Sequence, residues 1–402
     1  MSSPSAFVDT MPMPIHACML AYTFYENDGR VIRYAEALAD EGARVDAIVL
    51  RREGLPAEEV MHGVRVLRIQ SREKNERGKA TYLLRVLRFF VNSMVEITRR
   101  HAEQPYDLIH VHSVPDFEVF AAFVPKLLGA KLVLDIHDIV PEFYAAKFKV
   151  SERSMVFAAL KRAERWSAAF ADHVIVANDL WLDKITTRSS RADKCSALIN
   201  YPDAGIFDPR LRQRADDGRF VVVYPGTLNW HQGLDLAIAA FAKVRDQAPA
   251  MELHIYGEGP AKPQLQQLVA DLGLGERVRL LPPLPIREIA AVMANADLGV
   301  VPKRNDSFGG DAFSTKTLEF MSLGVPLVVA DTRVDRFYFD DSLVRFFRAG
   351  DADDLARVLL DAYGNRRRSA EISARAQAFA GRNSWAEKKA DYLDIVGRLL
   401  NG

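Results

Sequence analysis

Residues 308–331 read FGGDAFSTKTLEFMSLGVPLVVAD. A glycine-flanked loop carrying Asp311 leads to Ser314 and Thr315, either of which can cap a helix running through Leu318, Phe320 and Met321. Gly324 stands where a helix of that length needs its left-handed closing residue. Pro326 then opens an unbroken apolar strand, Leu327 to Ala330. A helix feeding a strand with no polar alternation marks a parallel sheet covered on both faces. Glu319 lies one turn into the helix and Lys316 three residues before it, on nearly the same face. Two carboxylates and an ammonium therefore crowd the mouth of a helix that is otherwise core.

The same rhythm extends outward. Apolar bursts at Phe220–Tyr224, Glu252–Tyr256, Val278–Leu281 and Leu298–Val301 precede it, with amphipathic stretches between them. Nearer the N-terminus come Ile15–Tyr22, Val45–Leu50, Leu108–Val111, Leu132–Ile136 and His173–Ala177. Helical patterns separate these at Val31–Glu41, Phe117–Leu128 and Ser151–Ala171. This is βαβ alternation, the pattern of doubly wound α/β domains. Residues 200–220, rich in Pro, Gly, Asp and Arg, break it and read as a linker. Two Rossmann-like α/β domains are predicted, residues 1–205 and 206–381, facing a central cleft. Trp385–Leu400 reads as a final helix with Tyr392, Ile395 and Leu399 on its apolar stripe.

Composition bounds the function. The 402 residues carry 53 basic and 53 acidic side chains, so no net field argues for nucleic acid. Two cysteines, Cys18 and Cys195, cannot build a disulfide framework and fit a reducing cytoplasm. The first twenty residues lack the basic and apolar regions of a signal peptide, and no run is long and apolar enough to span a bilayer.

The strand ends carry the chemistry. After Phe220–Tyr224 comes PGTLNWHQGLD, with Gly226 at the turn and Gly233 opening the next helix. Glycines there let backbone amides approach an anion at a helix N-terminus. After Glu252–Tyr256 comes GEGP, but Lys262 occupies the place of a third glycine, so a dinucleotide fingerprint is absent and NAD is rejected. A ligand with a diphosphate, a ribose and a sugar needs amide donors, a cation and carboxylates for hydroxyls. Residues 311–319 supply all three.

At these residues the chain resembles the retaining glycosyltransferases of family 4, the group 1 glycosyl transferases of GT-B architecture. The stretches VVVYPGTLNWHQGLDLAIAAFAKV, LHIYGEGP, RVRLLPPLPIREIAAVMANADLGVVPKRND and STKTLEFMSLGVPLVVAD follow that family's nucleotide-sugar domain in order and spacing. DGRVIRYAEALADEGARVDAIV, YDLIHVHS and LVLDIHDIVPEFY match its first domain more loosely.

The resemblance implies Glu319 on the nucleotide ribose, Asp311 (aspartate in place of the family's glutamate) on donor-sugar hydroxyls, and Lys316 near the diphosphate. Gly226, Ser314 and Thr315 would offer amides. Thr227 and Gln232 stand where many members carry the Arg and Lys that neutralise pyrophosphate, so Lys303, Arg304 or Lys316 would have to replace them. His137 falls where the family has a histidine facing the donor sugar. Asp28, Arg30, Glu142, His112 and Asp116 are acceptor-side or phosphate candidates. Residues 382–402 are expected to cross back onto the first domain.

The implied reaction is transfer of a sugar from a nucleoside-diphosphate sugar, UDP favoured, to a glycan or lipid-linked acceptor with retention, in cell-surface polysaccharide assembly. Neither a metal nor another cofactor is expected. A sugar-nucleotide-binding protein without transferase activity and a GT-B sugar-nucleotide epimerase are the alternatives. Residues 71–100 carry eight basic residues against three acids around an aromatic-rich centre. They read as an ordinary helix of the first domain or as a peripheral contact with the inner face of a membrane.

Overall fold

The computed structural model describes residues 15–72, 79–148, 150–214 and 217–401. The chain divides into two units: Met1–Asn200 with Lys389–Gly402, and Tyr201–Lys388. The division falls five residues before the expected boundary at 205, and the C-terminal return begins at Lys389 rather than at 382.

The first unit holds an eight-stranded sheet: β1 (His16–Ala21), β2 (Arg44–Arg51), β3 (Glu58–Met61), β4 (Val64–Ser71), β5 (Leu108–His112), β6 (Lys131–Ile136), β7 (His173–Val176) and β8 (Cys195–Ala197). Their order is β3-β4-β2-β1-β5-β6-β7-β8, parallel throughout except that β3 pairs antiparallel with β4. The direction of winding reverses between β1 and β5. Every residue of these two strands is buried, as burial on both faces demands.

The second unit holds β9 (Phe220–Pro225), β10 (Met251–Tyr256), β11 (Val278–Leu281), β12 (Leu298–Val301), β13 (Leu327–Ala330) and β14 (Arg345–Phe347), all parallel in the order β11-β10-β9-β12-β13-β14. Winding reverses between β9 and β12. In an open α/β sheet that reversal leaves a crevice beyond the strands' carboxyl ends. Phe220, Val222 and Tyr224 of β9 pack with Ile238, Phe241 and Leu355 in the core of this unit.

Three features depart from the sequence reading. The edge strands β3, β8 and β14 are only three or four residues long, and β4 carries Arg65 and Arg68, which hid its period. Arg68 is nonetheless buried, bonded to Glu26, to Glu59 at 2.9 Å and to the Pro56 carbonyl at 3.1 Å. The helix expected over 117–128 is a 3-10 segment, Asp116–Ala122, followed by a short helix, Phe123–Leu127. Pro125 lacks the amide that a continuous helix would need there.

Candidate functional site

The site in the second unit begins where β9 ends. Gly226 adopts φ +140° and donates its amide to the Tyr256 carbonyl at 2.8 Å. A Cβ at Gly226 would lie 2.5 Å from Cε and 3.0 Å from Nζ of Lys316, so the lysine lies directly across this turn. A Cβ at Gly257 would lie 1.8 Å from the Gly226 carbonyl oxygen. The glycines of GEGP thus serve contact between two loops, which accounts for them without a dinucleotide.

The helix of the opening stretch spans Thr315–Ser322 and starts from Ser314 in an extended conformation. Ser314 does not cap it by its side chain: Oγ is buried and has no hydrogen-bond partner among the described residues. Gly324, at φ +67°, follows the C-terminus as expected. Thr317, Leu318, Phe320 and Met321 turn into the core, leaving Thr315, Lys316 and Glu319 on the open side. Lys316 Nζ lies 5.3 Å from the centroid of the Tyr224 ring. Burial pushes the Lys316 ammonium below the ordinary lysine range, while Glu319 draws it partly back. A cation held at such cost is primed for an anion.

These residues line one cavity of about 430 Å³. Gly226, Thr227, Thr315, Lys316 and Glu319 form its polar side with Tyr256, Gly257 and Glu258. Pro283, Leu284, Ile286, Ile289, Met293 and Phe207 form an apolar wall. The wall was missed in the sequence, although Ile286, Ile289 and Met293 recur at helical spacing in Ile286–Ala294. Amide donors and one cation facing an apolar wall suit a ligand with an anionic part and a flat apolar part.

Several expected site residues are engaged elsewhere. The Gln232 amide oxygen accepts a hydrogen bond from the Tyr224 hydroxyl at 3.0 Å. Arg304 stacks on Trp230, 4.3 Å from the ring centroid, and pairs with Asp235. Lys303 is buried between Asp335, at 2.8 Å, and the Ala312 carbonyl, at 2.7 Å. Asp311 is 2% exposed, and the Arg333 guanidinium forks onto both its oxygens, Nε at 2.6 Å. None of the four lines the cavity. Of the three cations expected to replace the missing pair, Lys316 alone lines it.

The first unit has its own polar centre, around Asp135 at the end of β6. Arg30 donates to both Asp135 oxygens, Nε at 2.8 Å and Nη2 at 2.7 Å, and to the Leu198 carbonyl. His112 Nδ1 lies 3.1 Å and His137 Nε2 2.9 Å from the same Asp135 oxygen. Burial by itself would raise the Asp135 carboxyl, but Arg30 and His137 hold it well below the ordinary carboxylate range. Burial lowers His110 and His112, keeping both imidazoles neutral. His110 closes the cluster through Nδ1, 3.1 Å from the Tyr392 hydroxyl of the helix Trp385–Asn401. Among the described residues, His110, His112 and Asp135 bring ligand atoms within 4.8 Å of one another. Arg30 already occupies both carboxylate oxygens there, and its charge would repel a cation.

The Arg30 guanidinium is therefore buried and engaged by Asp135 and the Leu198 carbonyl. Asp28 caps the helix Gly29–Asp40, accepting from the Arg30 and Val31 amides at 3.2 Å each. Glu142 is buried against Arg188, which also holds Glu164. This ion network engages the Glu142 carboxylate. Asp116 is buried and pushed up to about 7, chiefly by desolvation.

Comparison with known proteins matches residues 30–200 to the glycosyl transferase 4-like domain and residues 209–379 to the glycosyl transferases group 1 family. Each half of the chain thus matches a glycosyltransferase domain model, and the fold is of GT-B architecture. Among curated relatives, the D-inositol 3-phosphate glycosyltransferase of Thermomonospora curvata is 28% identical over 75% of this chain and 73% of its own length. The alpha-D-kanosaminyltransferase of Streptomyces kanamyceticus is 27% identical over 66% and 71%. Among solved structures, the sucrose-phosphate synthase of Thermosynechococcus elongatus superposes with a TM-score of 0.77 at 17% identity, covering 96% of this chain and 99% of that one. The Anabaena protein HepE in complex with UDP-glucose gives 0.71 at 17%, covering 95% and 99%. Among the described residues no helix is long and apolar enough to cross a membrane.

Proposed function

We propose that this chain moves a sugar from a nucleoside-diphosphate sugar to a hydroxyl of a glycan or lipid-linked acceptor, with retention, in the assembly of a surface polysaccharide. The observation that carries the reading is the single cavity that gathers Gly226, Thr227, Thr315, Lys316 and Glu319 opposite an apolar wall. Glu319 takes the ribose hydroxyls. The amides at the start of Thr315–Ser322 and the Lys316 ammonium face the diphosphate. UDP is the favoured carrier, because a structural neighbour of this fold is a complex with UDP-glucose.

In this reading the acceptor oxygen bonds to the anomeric carbon as the bond to the β-phosphate oxygen breaks. The acceptor proton passes to that departing oxygen. Charge grows on the phosphate, and preorganised donors stabilise it as it forms. No side chain need serve as general base and no metal is assigned a part. Asp311, clamped by Arg333, acts on the donor sugar through the loop it anchors.

The test is thermal shift with UDP, GDP and ADP on the wild type and on Glu319→Ala, followed by NMR of the product's anomeric centre. One diphosphate should raise the melting temperature, the variant should lose the rise, and the product should keep the donor's configuration. Stabilisation by none of the three, with an intact fold, would sink the reading. Sugar released in epimerised form without acceptor would reassign the chain as an epimerase.

A further inference from the structure

In the first unit, the helix Lys79–Glu103 presents Leu83, Leu84, Leu87, Val91 and Val95 to solvent, and Leu84 is 67% exposed. The spacing of Leu84, Leu87, Val91 and Val95 is that of one continuous helical stripe, about 16 Å long at 1.5 Å per residue. Val86, Phe89 and Ile97, on the opposite side, are buried, so the helix is already anchored and the stripe is surplus to the core. The short helix Phe123–Leu127 packs beside it and exposes further apolar side chains, Leu127 at 72% and Leu128 just after it at 68%. Soluble surfaces seldom leave such an apolar area uncovered.

Charge decides what covers it. Residues 81–95 contain Arg85 and Arg88 and no acid. The first acid of the helix beyond them, Glu96, is engaged by Arg99 and Arg100. Arg88 is exposed and sits within the stripe, four residues after Leu84 and three before Val91. A twofold interface with a second copy would set this arginine in an apolar contact without a counter-charge, which is costly. At a lipid surface the aliphatic stem lies along the acyl boundary and the guanidinium reaches phosphate headgroups.

We propose that this face docks the first unit on an anionic lipid bilayer, lying in the interface without spanning it. The inference is independent of what the cavity of the second unit binds, and it is read without nucleotide. The full chain is sedimented with vesicles of phosphatidylcholine alone or mixed with phosphatidylglycerol. It should partition onto the anionic vesicles, less so as salt rises. Leu84→Glu with Val91→Glu, and separately Arg88→Glu, should lower the partition about tenfold or more. Replacement of Leu127 and Leu128 by serine is a second, independent variant, and an unchanged thermal melt shows that each remains folded. Equal partition of wild type and variants overturns the proposal. So does an absence of vesicle binding, whether light scattering then finds a monomer or a dimer that the same variants dissolve.

Discussion

His137 Nε2 lies 2.9 Å from the Asp135 oxygen that Arg30 Nε also reaches, at 2.8 Å. An ionised carboxylate can only accept, so His137 turns an Nε2 proton toward it. Arg30 thus holds the carboxylate that orients a histidine 107 positions later in the chain. Asp135→Asn keeps the shape but leaves the buried Arg30 without its counter-charge, a loss of roughly 3–5 kcal/mol. Its melting temperature should fall clearly. His137→Ala, with the side chain 20% exposed, should melt near the wild type while turnover drops about 100-fold. Unchanged turnover would remove His137 from the reaction.

The paired turns around Gly226 and Gly257 separate packing from binding. In Gly257→Ala the new methyl meets backbone, the Gly226 carbonyl. That variant should lose stability by about 2 kcal/mol or more, since backbone cannot step aside at this φ. In Gly226→Ala the methyl meets the mobile end of Lys316, so the strain at φ +140° is the main structural cost. The effect there should show chiefly as weaker nucleoside-diphosphate binding by calorimetry. Equal binding in Gly226→Ala and wild type would disconnect Lys316 from the phosphate.

Lys316 carries a charge that burial opposes. Its folded-state value lies below its unfolded one, so the folded chain sheds this proton first and gains stability as pH rises through that interval. Lys316→Met removes both the cost and the function. The ligand-free variant should melt at or above the wild type, with the gap greatest at neutral pH and closing as pH rises. Its affinity for a nucleoside diphosphate should fall about 10- to 100-fold. A marked drop in ligand-free stability would make Lys316 structural.

Glu118 offers a pH test remote from the cavity. It is buried, among the described residues neither carboxyl oxygen has a hydrogen-bond partner, and desolvation pushes it up to about 8. Between the unfolded value of 4.5 and about 8, the folded chain holds a proton that the unfolded chain has lost, so stability declines as pH rises. At about 1.4 kcal/mol per unit the decline amounts to a few kcal/mol. Glu118→Gln is neutral throughout. It should match the wild type at pH 5 and melt higher at pH 8. A residual slope from Asp116, which is displaced in the same direction, should remain.

What the sequence disclosed was local. The turn at Gly226, the helix entry at Thr315 and the acid one turn later are each set by a few consecutive residues, and the cavity contains all three. The uninterrupted apolar strands gave both sheets for the same reason. Side-chain partners across long separations were not readable. Arg30 looked like an anion contact because nothing in DGRV points to Asp135, 105 residues on. Asp311 looked open until Arg333, from the helix after β13, closed on it. Arg304 was drawn off by Asp235, 69 positions earlier, in the same way. Charge at a strand end announces a site, but which charges are already neutralised is a property of the fold.

The bond from Tyr392 to His110 spans 282 positions. Ribosomal synthesis therefore delivers the strands of the first unit long before the helix that covers its histidines. Throughout that interval the nascent sheet stands with Tyr34 and His110 bare where Tyr392 will pack. A ribosome halted before codon 389 would leave a domain of nearly full length whose histidine cluster is still unsealed.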